Sequence, residues 1–131
     1  MRSVLIAFVL AAATFVAQEK RPTASNGWLK TPAAGETQTT AFVTIENPGM
    51  YEVNVTSAKS DAADSIALRD GGRAVTFINV PAFGTTEMTQ SGAHLLLLGL
   101  KRPLKDGDTV TLTLGTDVDV TLTVTAAVRK E

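Results

Sequence analysis

Three stretches of this chain alternate apolar and polar side chains with a period of two, and that period limits the fold more than any other feature. Val110, Leu112 and Leu114 interleave with Thr109, Thr111 and Thr113. Val118, Val120, Leu122 and Val124 interleave with Asp119, Thr121 and Thr123, and Tyr51, Val53 and Val55 with Glu52, Asn54 and Thr56. Successive side chains of an extended strand point to opposite faces, so each stretch reads as a half-buried antiparallel strand. Threonine suits the outward positions because its β-branch fits the pleat while its hydroxyl meets water. Further candidate strands are 40–46, 65–68, 74–78, 85–88 and 93–98. Turn residues separate them: Asn47-Pro48-Gly49, Asp70-Gly71-Gly72, Pro81 to Gly84, Ser91-Gly92, Asp106-Gly107, and Gly115 with Asp117. About seven to nine short strands at this spacing predict an all-β sandwich. The unbroken apolar run from Leu95 to Leu98 predicts a central strand covered on both faces. Past the N-terminal segment no helical period is present beyond a turn at 61–64.

The first residues follow a different rule. Met1-Arg2-Ser3 precedes an apolar run from Val4 to Ala17 that is rich in alanine, with no acidic residue before Glu19. A basic start, an apolar run and small residues make a secretory signal peptide, residues 1–17, cleaved after Ala13 or Ala17. The competing membrane anchor needs roughly 20 apolar residues, longer than this run. Residues 18–26 read as a linker and 27–128 as one domain in a periplasmic or other extracytoplasmic space, not embedded in a membrane after processing.

Composition removes most other functions. The 131 residues carry 12 Lys plus Arg against 13 Asp plus Glu, a formal charge of −1. No basic face able to neutralise phosphates follows from that balance, so nucleic acid is not expected as a partner. With no cysteine, disulfides, thiolate catalysis, Cys-ligated metals and a lipid-modified cysteine are excluded. A single histidine, His94, leaves no two-histidine site within one chain. Ser91 is near it in sequence, but no nucleophile elbow surrounds that serine and no acid is placed to orient the imidazole. An enzyme is not expected.

Several motifs resemble one known family. Trp28-Leu29-Lys30-Thr31-Pro32-Ala33-Ala34-Gly35 is similar to a tryptophan strand followed by a Pro- and Gly-containing loop, and Ala41 to Asn47 to a strand ending in Ile-Glu-Asn. Ile78 to Thr85 fits a Pro-Ala-Gly corner, and the long run from Gly92 to Val110 matches position by position. These residues resemble the periplasmic copper chaperones of the PCu(A)C type, over about Gly27 to Val124. The resemblance implies a cupredoxin-like Greek-key β-sandwich that carries copper(I) at one end and delivers it to the CuA site of a cytochrome oxidase subunit or to another copper-handling protein.

The family's ligand set is two histidines and two or more methionines, a soft set that favours monovalent copper. By resemblance, His94 is the later histidine, its methionine partner is replaced by Leu96, and the first histidine is replaced by Arg69. Leucine has no donor atom and arginine keeps its charge and offers no lone pair. The hairpin Asp70-Gly71-Gly72-Arg73 is shorter than the family's and holds neither methionine. Candidate ligands are therefore His94, with Met88 as a further soft donor that reads mainly as core and Met50 as an exposed loop residue. A composite of His94, Asp70 and an N-terminal amine would suit copper(II) or zinc better than copper(I). His94 also reads as a hydrogen-bonded structural residue or as a pH switch. Trp28 reads as a packing aromatic, and Lys101-Arg102-Pro103-Leu104-Lys105 as a solvated loop or a docking patch for an acidic partner. Two functions follow: a copper-chaperone-family protein with a weakened metal site, or a metal-independent interaction module on the same sandwich.

Overall fold

The computed structural model describes residues 21–130, so the leader expected at 1–17 and its cleavage points lie outside the described residues. Ten strands occur among them: β1 Thr23–Lys30, β2 Gln38–Asn47, β3 Val53–Lys59, β4 Ala63–Asp70, β5 Arg73–Ala74, β6 Ile78–Val80, β7 Gly84–Glu87, β8 Ala93–Leu100, β9 Thr109–Thr116 and β10 Thr121–Arg129. Their hydrogen-bonded order is β5-β4-β8-β2-β1-β10-β9-β3-β6, with β7 on the second half of β2. The ladder curls on itself, and its inner faces enclose one apolar core, giving the all-β sandwich expected from the alternation. Strand β10 keeps the period without a fault, with Leu122, Val124, Ala126 and Val128 inside and the threonines and Arg129 outside. Leu29, Ile45, Leu95, Leu97, Leu112, Leu114 and Val128 are the large fully buried side chains around which the faces close.

The strand count exceeds the expected range, and the excess is informative. Strand β5 is only two residues long, and it turns back on the end of β4 where a longer strand at 74–78 was expected. Thr23–Asn26, read from sequence as linker, form the first half of β1, pairing Ala24 with Ile45 and Ser25 with Thr44. The polar Ser25-Asn26-Gly27 looks like a turn but is a bulge between Ser25 and Trp28, where Asn26 takes a φ of 52°. Gly27 fits tightly there: a Cβ would stand 3.2 Å from Val124 Cγ2. Strand β1 also pairs in parallel with β10, Trp28 opposite Ala127, so the sheet is mixed and not wholly antiparallel.

Several expected strand residues lie outside the sheet. Tyr51 precedes β3 and Val118 sits in the turn before β10, both exposed, although each continues an apolar alternation. Asn54 and Asp117 set these ends: the Asp117 carboxylate accepts from the Asn54 backbone N–H at 3.0 Å and from its Nδ2 at 2.9 Å. Strand β8 is central, between β4 and β2, with Leu95 and Leu97 on the core and Leu96 and Leu98 half-buried on the outer face.

Candidate functional site

His94 is the second residue of β8 and lies directly opposite Arg69 of β4. Opposed residues of antiparallel strands project from the same face, so imidazole and guanidinium are neighbours. The histidine is only 5% exposed. Its Nδ1 lies 2.9 Å from the Gly92 carbonyl, which can only accept, so Nδ1 carries a proton and the tautomer this bond selects has its lone pair on Nε2. The ring centroid stands 6.1 Å from that of Phe42, Phe42 is 4.7 Å from Trp28, and the Arg129 guanidinium sits 4.4 Å over Trp28. A row of stacked groups thus crosses the outer face from β8 over β2 and β1 to β10. It explains why Phe42 is buried although the alternation of β2 turns it away from the main core.

Arg69 does not reach outward for an anion; its Nη2 donates to the Gly72 carbonyl at 2.7 Å, bracing the turn that β5 closes. Asp70 is opposite Ala93, one residue along from the Arg69–His94 pair, and the register therefore turns its side chain to the other face. The structure does not bring Asp70 onto the face of His94. Leu96 does share that face, opposite Ala67 on one side and Thr40 on the other. The Thr40 hydroxyl is buried with no hydrogen-bond partner among the described residues. A neutral hydroxyl is a hard, weak donor, so this orphan oxygen does not supply what copper(I) needs.

Met88 follows β7, donates its N–H to the Val43 carbonyl at 3.1 Å, and is buried in the apolar core. Met50 lies in the turn ahead of β3, largely exposed. Among the described residues no group of three or more His, Cys, Asp or Glu side chains converges. Around His94, the positions paired with it and with Leu96 are filled by Arg69, Ala67 and Thr40. That donor set, one imidazole beside a cation, does not fit a copper(I) cargo.

A family model described as "Putative lipoprotein LpqE-like" matches residues 23–128. The chain belongs to the LpqE-like family. This LpqE-like domain is 34% identical over 99 residues to "Putative lipoprotein Lxx21020" of Leifsonia xyli subsp. xyli (strain CTCB07), a match covering 69% of this chain and 58% of that relative's length. The solution structure of CuI-DR1885 from Deinococcus radiodurans is 31% identical, covers 81% of this chain and 76% of its own, and superposes with a TM-score of 0.70. The copper-bound PCuAC domain from PmoF2 is 22% identical with a TM-score of 0.78, covering 88% of this chain and 97% of its own, a likeness of fold. The LpqE-like domain is thus a PCu(A)C-type sandwich, as its Gly92 to Val110 run led one to expect. The family model and the Leifsonia relative both carry the description putative lipoprotein.

The long motif found His94 and the loss at Leu96, the match of Ala58 through Leu68 found the loss at Arg69, and the register puts these three on one face. Sequence reasoning missed the Phe42–Trp28–Arg129 row, whose members come from three strands. The signal for it was the period of two in β2, which turns Phe42 away from Ala41 and Val43.

Proposed function

We propose that this LpqE-like domain is an extracytoplasmic, non-enzymatic member of the copper-handling PCu(A)C group that works through protein contacts and does not hold copper(I) on its own residues. One observation carries the reading: the residue opposite His94 is Arg69, and the residue sharing its face is Leu96. A cation at the first ligand position repels the cargo, and a hydrocarbon at the second offers it nothing. A leader at 1–17 takes the chain across the membrane. Its partner on this reading is a copper-handling protein such as a cytochrome oxidase subunit, where the ligand-complete members of the group would deliver metal.

A second reading rests on the Nδ1 bond to the Gly92 carbonyl. That bond fixes the tautomer with the Nε2 lone pair available, the arrangement by which outer-shell partners prepare a metal-binding histidine. On this reading His94 supplies one ligand and a docked partner the rest. Titration with copper(I) against a competing chelator, for the protein and His94→Ala, tests the main reading. The expected result is no retention of copper by either protein alone. Stoichiometric tight binding that the variant loses would overturn the main reading.

A further inference from the structure

We propose that the end of the sandwich bearing Met50, Tyr51, Phe83 and Val118 is the face this domain sets against a phospholipid surface. These side chains are 62%, 76%, 70% and 41% exposed, and they line one depression together with Pro22. Large apolar groups gathered at one end of a small domain mark an interaction surface, whereas scattered ones do not.

The surface is built and held. Asn47, 2% exposed, donates Nδ2 to the carbonyls of Tyr51 at 2.8 Å, Pro81 at 3.2 Å and Val80 at 3.4 Å. Its Oδ1 accepts from the Gly49 N–H at 3.1 Å, and the Phe83 N–H donates to the Gly49 carbonyl at 3.0 Å. The turn carrying Met50 and Tyr51 is thereby fastened to the turn carrying Phe83. Phe83 takes a φ of 55° and Asp119, on the same depression, a φ of 61°. The left-handed region is costly for a bulky side chain and persists where the surroundings dictate it. Phe83 is held out into solvent by a braced turn.

The occupant follows from where the chain enters. Arg21 and Pro22, the first described residues, line this depression, and only residues 18–20 separate them from the apolar run at 4–17. Three residues of any conformation span at most about 10 Å. A chain whose apolar run lies in a bilayer, before cleavage or without it, therefore has this end of the domain at the membrane surface. The charges around the depression are mixed, Arg21 against Glu52 and Asp119. The cluster Lys101, Arg102, Lys105 and Lys130 lies at the opposite end of the same strands. Contact at the apolar end therefore proceeds by insertion of aromatic and thioether groups and not by attraction to anionic headgroups.

The inference is independent of any copper. Because the sequence has no cysteine, Val118→Cys and Lys101→Cys each give one attachment point for a polarity-sensitive fluorophore on the full chain. With phosphatidylcholine vesicles holding a lipid-borne quencher, the probe at 118 is expected to lose roughly threefold in intensity while that at 101 is unchanged. Adding Tyr51→Ser and Phe83→Ser should remove at least about half of that quenching, with the far-ultraviolet β spectrum retained because both side chains are exposed. Absence of quenching at 118, equal quenching at both sites, or quenching only with anionic lipid would each overturn the proposal. So would a blue shift at 118 that grows with protein concentration without vesicles, which would show a second copy covering the face.

Discussion

The His94 corner and the Met50–Phe83 end are opposites in how they treat their side chains. At the corner most of the groups are spent inside the domain: His94 Nδ1 on Gly92, Arg69 on Gly72, Phe42 beneath Trp28. At the other end, apolar groups that water disfavours are left outside, on turns fastened by a buried asparagine. The corner carries the family's motif and is chemically closed; the end carries no motif and is physically open. A motif records where a fold's site lies, while unsatisfied surface records where a particular chain still has contacts to make.

The comparison is tested most severely by restoring the corner. Arg69→His with Leu96→Met places a second imidazole opposite His94 and a thioether on its face. Copper(I) affinity in chelator competition is expected to rise at least about 100-fold, about 2.7 kcal/mol. No gain would show that more than donor atoms separates this corner from a working site.

Next in size is Asn47→Ala, which strands carbonyls of Tyr51, Val80 and Pro81 and should cost about 2 kcal/mol in urea unfolding. A neutral result would mean that the open end is not braced through this residue. Smaller and of opposite sign is Phe83→Gly, which relieves the left-handed φ and removes only an exposed ring. It is expected to raise stability by about 0.5–1 kcal/mol; a loss would show that the ring packs on the domain.

The smallest effect belongs to Asp117. Hydrogen bonds from the Asn54 backbone and then from its side chain hold the Asp117 carboxyl below its ordinary pKa of 3.8. A lowered folded-state pKa adds stability above the unfolded value and loses it as the pH falls through the folded one. Asp117→Asn should therefore melt slightly lower than the parent at pH 6, and the two melting curves should converge as the pH falls through the lowered folded-state value. A gap that persists in acid would mean the carboxylate's charge is not what anchors the turn.

Much of this division was legible beforehand. The strict alternation of Leu122 to Val128 and of Val110 to Leu114 reflects one buried and one wet face, which is a local property of the sequence. The sharing of a face by His94 and Leu96 needed only a two-residue spacing. Tyr51 and Val118 misled because alternation says nothing of where a strand stops. That point is set by the Asn54–Asp117 hydrogen bonds, whose two ends lie 63 residues apart in sequence. Ser25-Asn26-Gly27 misled because a bulge and a turn ask for the same residues, and only the closeness of Val124 decides between them. The pairing of Arg69 with His94 needed a register between β4 and β8, whereas resemblance gave only that both stand at ligand positions.

The parallel pairing of β1 with β10 bears on when the domain can close. The first strand and the last are adjacent in the middle of the sheet, Trp28 against Ala127 and Leu29 against Val128. Bringing such distant residues together is the slowest kind of contact to form, and here it must wait for the final strand to be synthesised. A growing chain that stops short of β10 lacks the partner for one edge of β1 and leaves Leu29 uncovered. Closure of the sheet around β1 therefore comes after the rest of the ladder has been made.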